Sequence, residues 1–188
     1  PPPPPVPPTA SADDDLDDAT VTLAARRAAT AEAGRPRVQA VLCPAGHANP
    51  THADQCRTCG SAITDRAVHD VARPPLGRIV FDDGTQVEID RHVVLGRRPV
   101  EDPLVAGEPH QLITVPDPDD VVSRTHLVLR VEGWQVHAID RDSTNHTFVE
   151  IPGQPPFQLR PGDPYPIPPG STIRLGDEVG FVYDATQR

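Results

Sequence analysis

The chain has 188 residues, including 25 Pro, 13 Gly and no Met, and all 17 of its basic residues are Arg. Set against 27 acidic residues this gives a net charge of −10, which argues against broad binding to nucleic acid or to an anionic membrane. No stretch approaches the roughly 18 consecutive apolar residues of a spanning helix, and no basic segment followed by an apolar one opens the chain as a leader would. A start at Pro1 without Met suggests a piece of a longer protein.

Residues 1–40 read as a disordered tail. Seven prolines in the first eight residues favour an extended polyproline II spacer. Asp13, Asp14, Asp15, Asp17 and Asp18 follow, too charged to bury. The Ala-rich stretch 20–33 is too short for a stable isolated helix.

Residues 41–62 contain all three cysteines. Cys56-x-x-Cys59-Gly60 lets two thiolates reach one ion while the glycine turns the chain tightly behind them. Cys43 supplies a third thiolate. His47, at Cys-x3-His spacing, is the best fourth ligand and His52 the fallback. Such a Cys3His set closes a tetrahedral structural Zn2+ site with no open position for water. A Cys56–Cys59 disulfide is the redox alternative, but the strand-turn-helix context of a redox motif is missing.

Residues 63–76 end in Arg73-Pro74-Pro75 and read as a linker. From Gly77 onward the pattern becomes short β-type runs separated by turn residues, at 80–81, 86–90, 93–95, 112–115, 127–131, 134–139, 147–151, 172–175 and 179–183. Alternation is clear in Gln86-Val87-Glu88-Ile89 and in Trp134-Gln135-Val136-His137. Asp82-Asp83-Gly84 is a hairpin signal. About ten short strands with Gly/Pro turns predict an all-β sandwich or barrel over 77–184.

Three loop fragments in this part carry anion-binding chemistry: Leu95-Gly96-Arg97-Arg98 after a strand, Val122-Ser123-Arg124-Thr125-His126 before one, and Asp140-Arg141-Asp142-Ser143-Thr144-Asn145-His146-Thr147 between two. Arg offers a fork of donors to a phosphate, Ser and Thr add hydroxyls, and Asn can pair with a peptide backbone. Ser123, His126, His137 and Asp140 also suggest a hydrolase triad. But Ser123 and His126 are three apart on one loop and no Gly-x-Ser-x-Gly elbow exists, so no enzyme is expected.

In this order, strand-GR, SRxH-strand and D-x-x-S-x-N-x-T-strand resemble a forkhead-associated (FHA) domain. The resemblance implies a sandwich of eleven strands that binds phosphothreonine peptides through loops at one end. By that likeness Arg97 contacts the phosphate, Ser123 donates its hydroxyl to it, Arg124 adds phosphate or peptide contacts, Thr144 supports the pocket and Asn145 bonds the peptide backbone. Gly96 and His126 are architectural. His146 departs from the family, which usually has Gly there, and is expected to hold the turn at positive φ with some strain. A site disabled by this change would leave a purely structural docking sandwich.

The cysteine segment resembles the short zinc ribbons found beside other domains in bacterial regulators. Its likeness to nucleic-acid-binding ribbons is weak, since only Arg57 and Arg66 lie nearby and no aromatic is available for base stacking. The acidic run before Thr20 and Thr22 looks like sites that bacterial Ser/Thr kinases use in FHA-containing substrates. Phosphorylated Thr20 or Thr22 docking on the chain's own Arg97 site is therefore an expectation, as is a cytoplasmic setting that keeps the thiols reduced. Exclusive use of Arg suits a GC-rich, actinobacterial-like genome. The expected protein is a signalling adaptor for phosphothreonine proteins downstream of a Ser/Thr kinase, with nucleic acid and membrane not expected as partners.

Overall fold

The computed structural model describes residues 35–116, 120–177 and 179–185. Among these the chain forms strands and turns only, and no helix is long and apolar enough to cross a membrane. The first three strands, β1 (Arg37–Leu42), β2 (Ala48–Asn49) and β3 (His69–Ala72), make a small antiparallel sheet in the order β2-β1-β3.

This sheet departs from the sequence reading in two places. β1 begins inside the stretch assigned to the tail, and β3 lies inside the stretch assigned to the linker, pairing Arg37 with Ala72 and Ala40 with His69. The segment His69-Asp-Val-Ala72 has only one strongly β-prone residue and two exposed positions. Its strand character comes from the partner strand rather than from local propensity. The Arg37 guanidinium strengthens the pairing by bonding the Asp70 carboxylate at 2.6 Å.

Eleven strands follow between Arg78 and Asp184. A six-stranded sheet contains β4 (Arg78–Phe81), β5 (Gln86–Glu88), β10 (Thr147–Glu150), β11 (Phe157–Gln158), β13 (Thr172–Leu175) and β14 (Val179–Asp184), in the order β11-β10-β13-β14-β4-β5. A five-stranded sheet contains β6 (His92–Gly96), β7 (His110–Thr114), β8 (Leu127–Glu132), β9 (Gln135–Asp140) and β12 (Tyr165–Pro166), in the order β12-β9-β8-β6-β7. The hairpin joining β4 to β5 forms where Asp82-Asp83-Gly84 signals it. Gly84 sits at φ +85°, and the Asp83 carboxylate accepts the Thr85 N–H at 2.8 Å.

Because aromatics are few, the core between the sheets is mainly aliphatic: Ile79, Ile89, Leu95, Leu127, Leu129, Ile173 and Leu175 are fully buried around the Phe81–Phe181 pair, whose rings are 5.4 Å apart. Each such side chain contributes about 1.5–3 kcal/mol by burial.

β6 is buried at every position. Its inner side meets this core. Its outer side is covered by the long segment after Arg98, where Val105 packs on Val94, Val128 and Ile139. A parallel neighbour, β7, completes the covering. This is why His92-Val-Val-Leu-Gly96 reads as a continuous apolar run rather than an alternating one. Buried His92 keeps both ring nitrogens bonded: the Val131 N–H donates to Nδ1 at 2.9 Å, so Nε2 carries the proton that it gives to Glu108 at 3.0 Å.

The small sheet packs directly on one end of the sandwich. Trp134, in the tight turn between β8 and β9, donates its indole N–H to the Gln39 carbonyl at 3.0 Å. Arg57, inside the cysteine knuckle, donates to the Leu76 carbonyl at 2.7 Å. Tyr183 donates its hydroxyl to that same carbonyl at 2.9 Å.

Candidate functional site

The three sequence fragments converge at the opposite end of β8 from Trp134. Beyond β6 the chain keeps pairing: Arg97 N–H donates to the Ser123 carbonyl at 3.1 Å and Arg98 N–H to the Arg124 carbonyl at 3.2 Å. The approach is close enough to require glycine at position 96. A Cβ there would stand 2.0 Å from the Arg124 carbonyl oxygen.

Buried His126 ties two of the loops together. Its Nδ1 accepts the Ser123 N–H at 3.1 Å, so Nε2 is the protonated nitrogen, and it donates to the His146 carbonyl at 3.1 Å. With both nitrogens engaged on backbone groups, His126 is not a base for the Ser123 hydroxyl. The Ser123 oxygen instead accepts the Thr144 N–H at 3.1 Å, which leaves its proton available to a ligand.

The third loop is held from inside by Asp140. This fully buried carboxylate accepts from the Ser143 N–H at 2.9 Å, the Ser143 hydroxyl at 2.6 Å and the Thr147 hydroxyl at 2.5 Å. The acid and hydroxyls of the third fragment are thus the staple that shapes the loop. Arg141 crosses to buried Asp102 at 2.7 Å and ties the loop to the segment after Arg98. His146 adopts φ +62°, the conformation its place in the turn demands.

Arg97, Arg98, Val100, Ser123, Arg124, Thr125 and Thr144 line a cleft of ≈ 520 Å³. Of the residues named from sequence, Arg97, Ser123, Arg124 and Thr144 therefore share one cavity, with Gly96 and His126 buried beneath it. Asn145 lies outside this lining. Its Nδ2 donates to the Val121 carbonyl at 2.9 Å, and its Oδ1 remains free among the described residues. The sequence reading named Arg98 in its first fragment without giving it a role, and it missed Asp120. Arg98 was visible as the second arginine after Gly96. Asp120 was not, because its ion pair with Arg97 spans 23 residues. Thr20 and Thr22 lie outside the described residues.

A second cluster forms in the small sheet. The ligand atoms of Cys43, His47, Cys56 and Cys59 all lie within 4.8 Å of one another. Cys43 Sγ is 3.5 Å from His47 Nδ1 and 3.9 Å from Cys59 Sγ, and Cys56 Sγ is 3.7 Å from the same ring nitrogen. A tetrahedral ion with metal–sulfur and metal–nitrogen bonds of about 2.3 and 2.0 Å separates its ligands by about 3.5–3.8 Å, close to these three separations. His47, not His52, completes the set.

Two turns build this cluster, with Gly46 at φ +81° and Gly60 at φ +71°. Asn49, fully buried, joins them: it donates to the His47 carbonyl at 2.8 Å and accepts the Arg57 N–H at 2.9 Å. The three cysteines are free thiols. Burial works to raise the Cys56 pKa, but the Cys59 and Thr58 N–H groups and the Asn49 amide outweigh it and hold the thiol at about 6. The Ser61 hydroxyl lowers Cys59, and burial raises Cys43. The chemistry of this donor set fits a soft divalent metal.

Residues 93–176, which lie within the sandwich, match the family model of the FHA domain. Similar solved structures include an FHA domain from Arabidopsis thaliana (20% identity, 61% of this chain and 88% of that one, TM-score 0.46). The FHA domain of human APLF, in complex with an XRCC1 bisphospho peptide, is another (25%, 57% and 97%, 0.44). A third is Mycobacterium tuberculosis EmbR in complex with a low-affinity phosphopeptide (16%, 62% and 26%, 0.46). No curated protein matches the chain.

Proposed function

We propose that this protein is a phosphothreonine-peptide-binding adaptor and not an enzyme. The observation that carries the reading is the convergence of Arg97, Ser123, Arg124 and Thr144 on one cleft, within a segment that matches the FHA family. In this reading the Arg97 and Arg124 guanidiniums and the Ser123 hydroxyl donate to the phosphate oxygens, Thr144 supports the pocket, and the Asn145 Oδ1 accepts a backbone N–H of the peptide.

Each charge-assisted hydrogen bond contributes roughly 1.5–3 kcal/mol net, so an unphosphorylated peptide binds far more weakly. Preference for phosphothreonine over phosphoserine rests on one methyl, about 0.8 kcal/mol by burial alone. A stronger preference requires shape selection.

The test is a phosphothreonine peptide library titrated against wild type and Arg97→Ala. Binding by the wild type that falls at least tenfold in the variant supports the reading. A wild type that binds nothing overturns it in favour of a purely structural docking sandwich.

We also propose that the Cys43–His47–Cys56–Cys59 cluster holds structural Zn2+. One zinc per purified chain, lost in Cys56→Ser, is the expected metal analysis. Free thiols poised for metal support a reducing, cytoplasmic setting, and the upstream partner is a Ser/Thr protein kinase. The autoinhibited form, with phosphorylated Thr20 or Thr22 occupying the Arg97 site, is checked by phosphorylating the protein and repeating the titration. Unchanged affinity sinks that part alone.

A further inference from the structure

The cleft's first arginine is already engaged. A guanidinium N–H of Arg97 donates to the Asp120 carboxylate, so a carboxylate of the chain rests on the same fork that a bound phosphate requires. We propose that Asp120 is a specificity-determining residue, an internal carboxylate competitor that sets the affinity a ligand must bring to the cleft and so favours occupancy by a doubly charged phosphate over a singly charged carboxylate. The inference rests on the phosphothreonine reading above and deepens it.

Three observations support an arranged contact. Asp120 adopts φ +55°, a left-handed conformation that Asp tolerates better than most residues. The two residues after it are fixed: Asn145 donates to the Val121 carbonyl at 2.9 Å, and Val122 is buried in the core. The carboxylate also leaves the cleft unsaturated. Arg97 Nε is buried without an acceptor among the described residues. Arg98 and Arg124, exposed in the same cleft, have no ion pair among the described residues.

The competition then sorts ligands by charge. A peptide glutamate brings one charge and replaces one carboxylate with another, so nothing is gained in Coulomb energy and the association entropy is lost. A phosphothreonine brings nearly two charges and three acceptor oxygens. It can displace Asp120 from Arg97 while also reaching Ser123 and Arg124. Asp120 is largely exposed, its side chain 75% accessible, so its charge is screened by water once it is displaced.

The probes are N-acetyl-phosphothreonine amide and N-acetyl-glutamate amide, titrated by NMR into the whole chain as wild type, Asp120→Asn, Asp120→Ser and Arg97→Ala. Both Asp120 variants are expected to bind phosphothreonine about two- to fivefold more tightly, the range that an exposed ion pair allows. The glutamate amide, the weaker ligand throughout, is expected to gain by a similar factor. Arg97→Ala should bind neither. If wild type binds phosphothreonine and the Asp120 variants bind both probes no better, the inference is overturned and the adaptor reading stands. If neither wild type nor the Asp120 variants bind phosphothreonine, the adaptor reading falls and takes this inference with it.

Discussion

Arg57 stands over the ring of Trp134, its guanidinium carbon 5.9 Å from the ring centroid. Arg57 is the residue between Cys56 and Thr58 in the cysteine cluster, and Trp134 belongs to the sandwich. One side chain therefore links the cysteine cluster to the larger domain, and it completes the link by donating to the Leu76 carbonyl.

This contact predicts that the small sheet and the sandwich unfold together. Cation–π attraction gives about 0.5–1 kcal/mol at such a site, and the bond to Leu76 adds roughly 1.5–3 kcal/mol as a charged donor. Arg57→Ala should lower stability by about 2 kcal/mol in urea unfolding. Trp134 is the sole tryptophan, so its fluorescence reports this junction directly. Adding a chelator should shift the same signal where the proposed Zn2+ is bound, and two separate unfolding transitions would contradict the coupling.

Gly96→Ala places a methyl group against the Arg124 carbonyl at a distance no packing tolerates. The backbone pairing of Arg97 and Arg98 with Ser123 and Arg124 must open to admit it. Overpacking of this kind costs roughly 1–3 kcal/mol. Thermal unfolding should show this loss, and phosphopeptide titration should show a weakened site although Gly96 carries no side chain.

His146→Gly tests the turn beneath the cleft. A non-glycine residue in the left-handed region costs about 1–3 kcal/mol, while glycine gives back part of that as unfolded-state entropy. The substitution should raise stability by about 0.5–1 kcal/mol, measured by urea unfolding. The His146 carbonyl, which receives the His126 Nε2–H and the Gly176 N–H, is retained, so phosphopeptide affinity should be unchanged. A loss of stability would show that the imidazole itself supports the turn.

Asp90 predicts an acid-sensitive junction. Bidentate bonds from Arg91, at 2.8 and 2.7 Å, hold its carboxyl below the usual carboxylate range against the opposing effect of burial, and Arg35 adds attraction from the start of the small sheet. A carboxylate depressed in the folded state stabilises fully above its unfolded pKa of about 3.9 and loses that contribution as pH falls through the lower folded value. The stability difference between wild type and Asp90→Asn should be constant from pH 5 to 8 and shrink below about pH 4. A difference that grows on acidification would reverse the assignment.

Much of this was legible in local sequence because the physics is local. Short alternating runs bounded by Gly and Pro mark strands, and the spacing of Cys43, His47, Cys56 and Cys59 reflects what two tight turns can bring to one place. The fragments around Gly96, Ser123 and Asn145 each carry loop chemistry within eight residues. Even the role of Gly84 in its hairpin follows from a few neighbours.

What tertiary structure decided depends on distance along the chain. Strand β3 exists because β1 lies beside it, and nothing in His69-Asp-Val-Ala72 announces that partner. The choice of His47 over His52 came from the fold of two turns around Asn49. The pairing of Arg97 with Asp120, of Arg141 with Asp102 and of Arg57 with Trp134 joins charged or aromatic residues whose sequence separation hides them from any local pattern. The net charge behaves the same way. The chain's composition excludes a general polyanion binder, while folding alone gathers Arg97, Arg98 and Arg124 on one cleft and sets an aspartate against the first of them.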